Sequence, residues 1–395
     1  MRLPAQSDAP IHYYDSAIGL TGPALKSALH SIIAGHTVLP YTAAQTDTWD
    51  ALKRIDEAPG LSAYVLLIYS QWAVPKSDQY TGTSGTWERE HLWPQSYGIT
   101  AVSENSRARS DLFNLRPIDR TVNSSRGNKY YDRSTTPVSM HPEAPGSTYD
   151  NNSWEPREDE KGTIARSMFY MALRYDGSDP DVPDLELSDT PATVAYRFGK
   201  LTTLLAWHRQ FAVAQRERER NARIYSDYQH NRNPFIDHSE YAEMVFLGVS
   251  HAQAWKRMQF SDAELADEGI GGDSADPDQD GLSNLLEYTF NGDPWQPGQS
   301  AAVAARLTSQ GGTSALIVSY PHNRNATDVA VTYESTSDFQ TWTAVSPLAT
   351  NAVATSSETE QVTVRFPASA SSYLVLIRAT RANPANGSVT SRITD

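Results

Sequence analysis

The chain has 395 residues, 39% hydrophobic and 20% charged, with no cysteine and a formal net charge of −14. That length exceeds one ordinary core and implies two or three domains. The composition excludes disulfides and thiolate metal sites. No apolar run approaches the roughly 18 residues that a membrane helix needs, and the acidity at first argues against a polyanionic partner.

The charge is unevenly spread. Residues 1–258 carry 27 Lys and Arg against 31 Asp and Glu, a net of −4, whereas 259–395 carry 6 against 16, a net of −10. Residues 107–133 hold seven basic residues against three Asp, a local +4. Such a patch can hold phosphates on an acidic molecule. The first stretch, "MRLPAQSDAPIHYYD", contains no apolar signal region.

In chain order, "ALKSALHSIIAGH" places Leu25, Leu29, Ile32 and Ile33 on one helix face. "SAYVLLIYS" (62–70) reads as a short buried strand, and 71–86 as a polar loop. "WEREHLWPQSYG" (87–98) sets Glu88, Arg89, Glu90 and His91 between aromatic rings. A neutral imidazole can take a proton from water at neutral pH. Glu90 and His91 are adjacent, so a strand end or a bulge must bring both to one side. In "SDLFNLRPIDRTVNSSRGNKYYD" (110–132), a short strand broken at Pro117 precedes a short helix. Asp119 opens that helix and Gly127 closes it. Strand, loop, strand and helix outline a ββα finger around a metal. Further on, 134–160 reads as a loop. "TIARSMFYMALRY" puts Ile164, Met168, Met171 and Tyr175 on one helix face, and "LTTLLAWHRQF" continues the helical content. "RERER" (216–220) reads as a solvated helix face. His30, His36, His230 and His238 read as packed or surface histidines, and Trp93 and Trp154 as core.

"EREHLWPQS" and "SDLFNLRPIDRTVNSSRGN" resemble the paired signatures of the endonuclease I family, secreted bacterial nucleases with a ββα-metal finger. Asn114 and Asn123 stand nine apart, with Arg126 three and Asn128 five residues after the second. Agreement extends over most of 13–245, through "ALHSIIAGH", "WEPREDEKGTIARSMFYMALRY" and "RNARIYSDYQHNRNPFIDHSEY". The resemblance implies His91 as general base, Glu90 and Asn123 as ligands of a divalent ion (Mg²⁺ or Mn²⁺), and Asn114 as a brace for the finger. It also implies an arginine facing the phosphate. Arg126 matches by spacing, and Arg107, Arg109 and Arg166 stay open as alternatives.

Near residue 259 the composition shifts to Gly, Asp and Pro. "DPDQDGLSNLLE" (276–287) fills a twelve-residue calcium loop. Asp276, Asp278 and Asp280 stand at positions 1, 3 and 5, Gly281 at the turn, the Leu282 carbonyl at 7 and Glu287 at 12. From 314 the period falls to two. "SALIVSY", "DVAVTYES", "QTWTAV", "EQVTVRF" and "SYLVLIRAT" read as strands of a small β-sandwich.

The expected fold is α+β. It comprises a mostly helical nuclease domain with the finger (1–258), an acidic calcium-binding loop and linker (259–297) and an all-β sandwich (298–395). The expected function is an extracellular, sequence-nonspecific endonuclease acting on DNA, with RNA as a second substrate, and leaving 5′-phosphates. The protein is expected to be a monomer exported by a leader that this sequence does not include. The alternative is an extracellular DNA-binding protein or adhesin that holds nucleic acid without cutting it.

Overall fold

The computed structural model describes residues 8–99, 107–178, 184–298, 303–310, 313–338, 340–367, 374–383 and 387–392. Positions 1–7 of the N-terminal stretch and 372–373 of the fifth expected strand lie outside the described residues. The chain divides into two compact units. One is Lys26–Ala242, and the other combines Met1–Leu25 with Glu243–Asp395. The division falls before the expected boundary at 258. It also moves the described N-terminal residues into the second unit, where Arg324 pairs with Asp15 at 2.6 Å and donates to the Ile11 carbonyl at 3.0 Å.

Helix α1 (Gly22–Ile33) buries Leu25, Leu29 and Ile33, and Ile32 is half-buried. Helix α2 (Thr48–Ile55) starts at a capping box formed by Asp47 and Asp50. Strand β1 (Leu61–Leu66) is shorter and wetter than expected. Leu61, Ser62 and Ala63 are exposed and Val65 is its buried anchor. The strand stops because the chain turns, with Tyr69 and Gln71 at φ of 69° and 58°.

Strand β2 (Trp87–His91) pairs antiparallel with β3 (Leu115–Asp119), and helix α3 (Arg120–Arg126) follows directly. Pro117 does not break β3; it lies within it, opposite Arg89. A two-stranded ribbon has only edges, so a missing N–H is tolerated there, and the Pro117 carbonyl accepts from Ile68 N at 2.8 Å.

Helix α4 (Glu158–Arg174) is buried on almost every side, not along one face. Gly162 permits this, since a Cβ there would meet the Phe211 carbonyl oxygen at 2.6 Å. Two buried charges of α4 are paired, Lys161 to Glu155 at 2.9 Å and Arg166 to Glu217 at 2.6 Å, and buried Glu160 accepts from Tyr69 N at 2.9 Å. Helix α5 (Leu201–Gln210) packs on it. Helix α6 (Gln215–Arg223) corrects the reading of "RERER" as a solvated face. Glu217 and Arg220 are 5% and 4% exposed. Arg220 grips Asp56 at 2.9 Å, and Arg116 joins the same carboxylate at 3.0 Å. Alternating charge gave the appearance of solvation, but the partners sit on distant segments.

In the second unit, helix α7 (Asn284–Phe290) and two four-stranded sheets share one core. The sheets run β4 (Ala304–Gln310), β5 (Thr313–Asn323), β9, β8 and β7, β6, β10, β11. Here β6 is Val329–Thr336, β7 Thr343–Ala344, β8 Ala349–Ala354, β9 Thr359–Pro367, β10 Leu374–Asn383 and β11 Gly387–Arg392. Leu316, Val318 and Tyr320 face Val362, Val364 and Phe366 in alternation. Strands β4, β8 and β11 escaped the sequence reading. They are edge strands, and β8 is almost wholly exposed, so no apolar alternation marks it. The segment 259–297 is not a plain linker: Phe260, Leu285, Leu286, Tyr288 and Phe290 belong to this core.

Candidate active site

Strand β2 and helix α3 wall a cleft of about 660 Å³. Glu88, Glu90 and His91 reach it from β2, and Asn123 and Arg126 from α3. His91 is the last residue of β2, so the strand end lets both Glu90 and His91 line one cavity. Helix α3 begins there because the Asp119 carboxylate accepts from Thr121 N at 2.7 Å and Val122 N at 3.2 Å.

His91 Nε2 lies 2.9 Å from the Arg109 carbonyl oxygen. A carbonyl can only accept, so Nε2 carries the proton and Nδ1 keeps its lone pair. Gln95 Nε2 is 3.5 Å from that Nδ1. The Tyr41 ring stacks near the imidazole at 5.7 Å between centroids. Burial pushes the His91 pKa down to about 4, and the cations of Arg89, Arg109 and Arg126 push the same way. The ring is a neutral base at pH 7.

Glu90 is 2% exposed. Its Oε1 accepts from Tyr69 Oη at 3.1 Å and lies 3.3 Å from Arg126 Nε. Both contacts fall on Oε1, which leaves Oε2 for a ligand in the cleft. Burial raises the Glu90 pKa to about 7, outweighing the Arg126 cation and the Tyr69 hydrogen bond that pull it down. Asn123 donates Nδ2 to Glu88 Oε1 at 2.7 Å, which fixes its amide and leaves Oδ1 as an acceptor. One carboxylate oxygen and one amide oxygen form a hard donor pair suited to Mg²⁺ or Mn²⁺.

Asn114 is fully buried. It accepts from Trp93 N at 2.7 Å and donates to Trp93 O at 3.2 Å, pinning the turn just after His91. Arg126 is also buried, and its fork is engaged with backbone. It donates to the carbonyls of Leu92 at 2.6 Å, Gly127 at 3.0 Å and His91 at 3.4 Å. Arg166 is occupied by Glu217 and does not line the cleft. Arg107 and Arg109 lie on the short helix Arg107–Ser110, with the Arg109 guanidinium 4.0 Å from the Tyr41 ring centroid. The sequence reading missed Tyr41, Trp49, Tyr69 and Tyr80. They come from separate segments, and only the fold gathers them. Gln95 lay within "EREHLWPQS" and could have been singled out there.

In the other unit, side-chain oxygens of Asp276, Asp278 and Asp280 lie within 4.8 Å of one another. Asp276 Oδ1 and Asp278 Oδ2 are buried without a hydrogen bond. Burial and the neighbouring Asp280 and Asp276 hold the Asp278 pKa up at about 6. Leu282 N donates to Asp280 Oδ1 at 2.9 Å, closing the turn. Glu287 is not part of the group: α7 is anchored in the core, and the Glu287 carboxylate lies against Gly292.

The sequence profile of the endonuclease I family matches residues 21–240. An extracellular ribonuclease of Bacillus amyloliquefaciens is 48% identical over 235 residues, covering 59% of this chain and 78% of that protein. An extracellular ribonuclease of Bacillus subtilis (strain 168) is 46% identical over the same length and coverage. The profile spans more than half of the chain, including both finger strands and α3. The chain therefore belongs to the endonuclease I family and is a hydrolase of phosphodiester bonds.

Proposed function

We propose that this is a secreted, divalent-metal-dependent nuclease that cuts DNA and RNA without reading base sequence and leaves 5′-phosphate ends. The observation that carries the reading is His91, with Nε2–H held on a backbone carbonyl and its Nδ1 lone pair met by the Gln95 amide at 3.5 Å, in the cleft that Glu90 and Asn123 also line. The "extracellular ribonuclease" names of the two relatives support export and bring RNA in beside DNA.

Glu90, through Oε2, and Asn123, through Oδ1, would hold the ion. When bound, it supplies Lewis-acid stabilisation of charge on the phosphate and on the leaving 3′ oxygen. His91 Nδ1 takes a proton from the water that attacks phosphorus, and the P–O3′ bond breaks. The Arg109 carbonyl steadies the imidazolium that results. Asn114, by clamping Trp93, keeps the His91 strand end from drifting. Arg126 contributes by fixing the carbonyls of His91 and Leu92 and by neighbouring Glu90. At the acidic loop, Asp276, Asp278, Asp280 and the Leu282 carbonyl take Ca²⁺, a structural ion for the second unit.

Digestion of plasmid DNA and of an RNA transcript with and without EDTA tests the reading. Cleavage of both substrates that stops in EDTA and returns with Mg²⁺ is expected. Undiminished cutting in EDTA overturns the metal role, and retention of nucleic acid without cutting favours the adhesin.

A further inference from the structure

Of the arginines named for the phosphate role, Arg126 and Arg166 are buried and engaged and Arg109 stacks on Tyr41, but another arginine stands at the cleft margin. Arg120 opens α3, one helical turn before Asn123. Its guanidinium carbon lies 3.6 Å from the centroid of the Tyr80 ring, and Tyr80 lines the cleft. Its Nε donates no hydrogen bond. Its charged neighbour is Glu88, at 3.8 Å, with the two side chains 42% and 26% exposed. A pair that loose and wet is worth little. Glu88 Oε1 is already taken by Asn123. The fork of Arg120 is thus positioned by a π-face; its Nε is buried beside Glu88, which leaves the Nη groups of this 42% exposed side chain as donors for a ligand.

The shelf beneath it is rigid. Tyr80 N donates to Trp87 O at 2.8 Å, and Thr81 N to Ser84 O at 2.9 Å. Arg120 N donates to Thr86 O at 3.1 Å, which ties the start of α3 to the same loop. Gly85, at φ +103°, lies so close that a Cβ would meet Gln79 O at 2.3 Å and Tyr80 Cα at 2.7 Å. Only glycine lets the loop fold back and place the ring.

We propose that Arg120 on its Tyr80 shelf is a second phosphate subsite. It takes a backbone phosphate flanking the scissile one through a charge-assisted, two-pronged contact to non-bridging oxygens. The subsite reads no base, because the phosphate is common to every nucleotide in DNA and RNA. This inference rests on the nuclease reading of the cleft.

The test is binding of a short labelled DNA strand and its RNA counterpart by full-length His91→Ala protein, followed by anisotropy across a salt series. Arg120→Gln in that background should weaken binding of both strands and lower the salt slope by about 0.7, one single-strand phosphate contact. Gly85→Ala, which displaces the shelf but keeps the charge, should weaken binding less. Melting temperatures within a few degrees of the parent certify the fold. An Arg120→Gln slope and affinity equal to the parent's would overturn the subsite while leaving the nuclease intact. A parent with no salt-dependent binding would overturn both. In the active enzyme, Arg120→Gln should raise KM and leave kcat nearly unchanged, the pattern of uniform binding lost.

Discussion

The cleft and the acidic loop both offer oxygen atoms to cations, but on opposite plans. The cleft presents one buried carboxylate, Glu90, beside the neutral amide of Asn123, with Arg126 3.3 Å from Glu90. The loop crowds three carboxylates within 4.8 Å and supplies no arginine among them. The difference follows from what each must admit. A polyanionic substrate must enter the cleft, and a dense negative field would repel it. In the proposed reading the loop takes only a cation, so its carboxylates can crowd without repelling a polyanion.

A large effect is expected from changing the one buried carboxylate of the cleft. Glu90→Gln should cost about 10²–10³ in cleavage rate at limiting Mg²⁺, several kcal/mol of lost charge stabilisation. Tyr69→Phe, which removes a donor to Glu90 Oε1, should weaken ion affinity by about 10–100-fold as a supporting contact. Calorimetric titration with Mn²⁺ measures both. Ion affinity unchanged in Glu90→Gln would remove Glu90 from the ligand set. The Glu90 carboxyl, raised to about 7 by burial, must lose its proton to bind the ion. Affinity should therefore fall as the pH drops through 7.

A smaller effect is expected at the loop. Asp278 sits at about 6, above its unfolded 3.8, so without calcium the folded unit holds an extra proton across that window. Calcium-free protein should lose stability as the pH rises from about 4 to about 6. Calcium should reverse that loss. Asp278→Asn should stabilise the calcium-free form and destabilise the calcium-bound one. Thermal melts with EDTA and with Ca²⁺ read both, and identical melts in the two conditions would erase the contrast between the sites.

The β2–β3 ribbon and α3 were legible because their signals are local. Asp119 and Gly127 bound α3 where a cap and a stop should stand, and Glu90, His91, Asn114 and Asn123 fall on short adjacent segments. What hid was long-range. The 216–220 run looked solvated because Asp56, Arg116 and Arg166 lie far away in sequence. Arg126 matched by spacing, yet its fork went to the carbonyls of Leu92 and Gly127, which no spacing rule foresees. Periodicity found five of the sandwich strands, the edge strand β7 among them, and missed three edge strands, β4, β8 and β11.

The most direct test of the account is the pH dependence of single-turnover cleavage at saturating Mg²⁺, for the wild type and His91→Ala. With its pKa lowered from 6.5 to about 4, His91 should keep the wild-type rate level through 6.5 and let it fall only toward 4. The variant should run about 10²–10⁴-fold slower and lack that acid limb. A variant that cleaves at the wild-type rate, or one that keeps the same acid limb, would contradict His91 as the base.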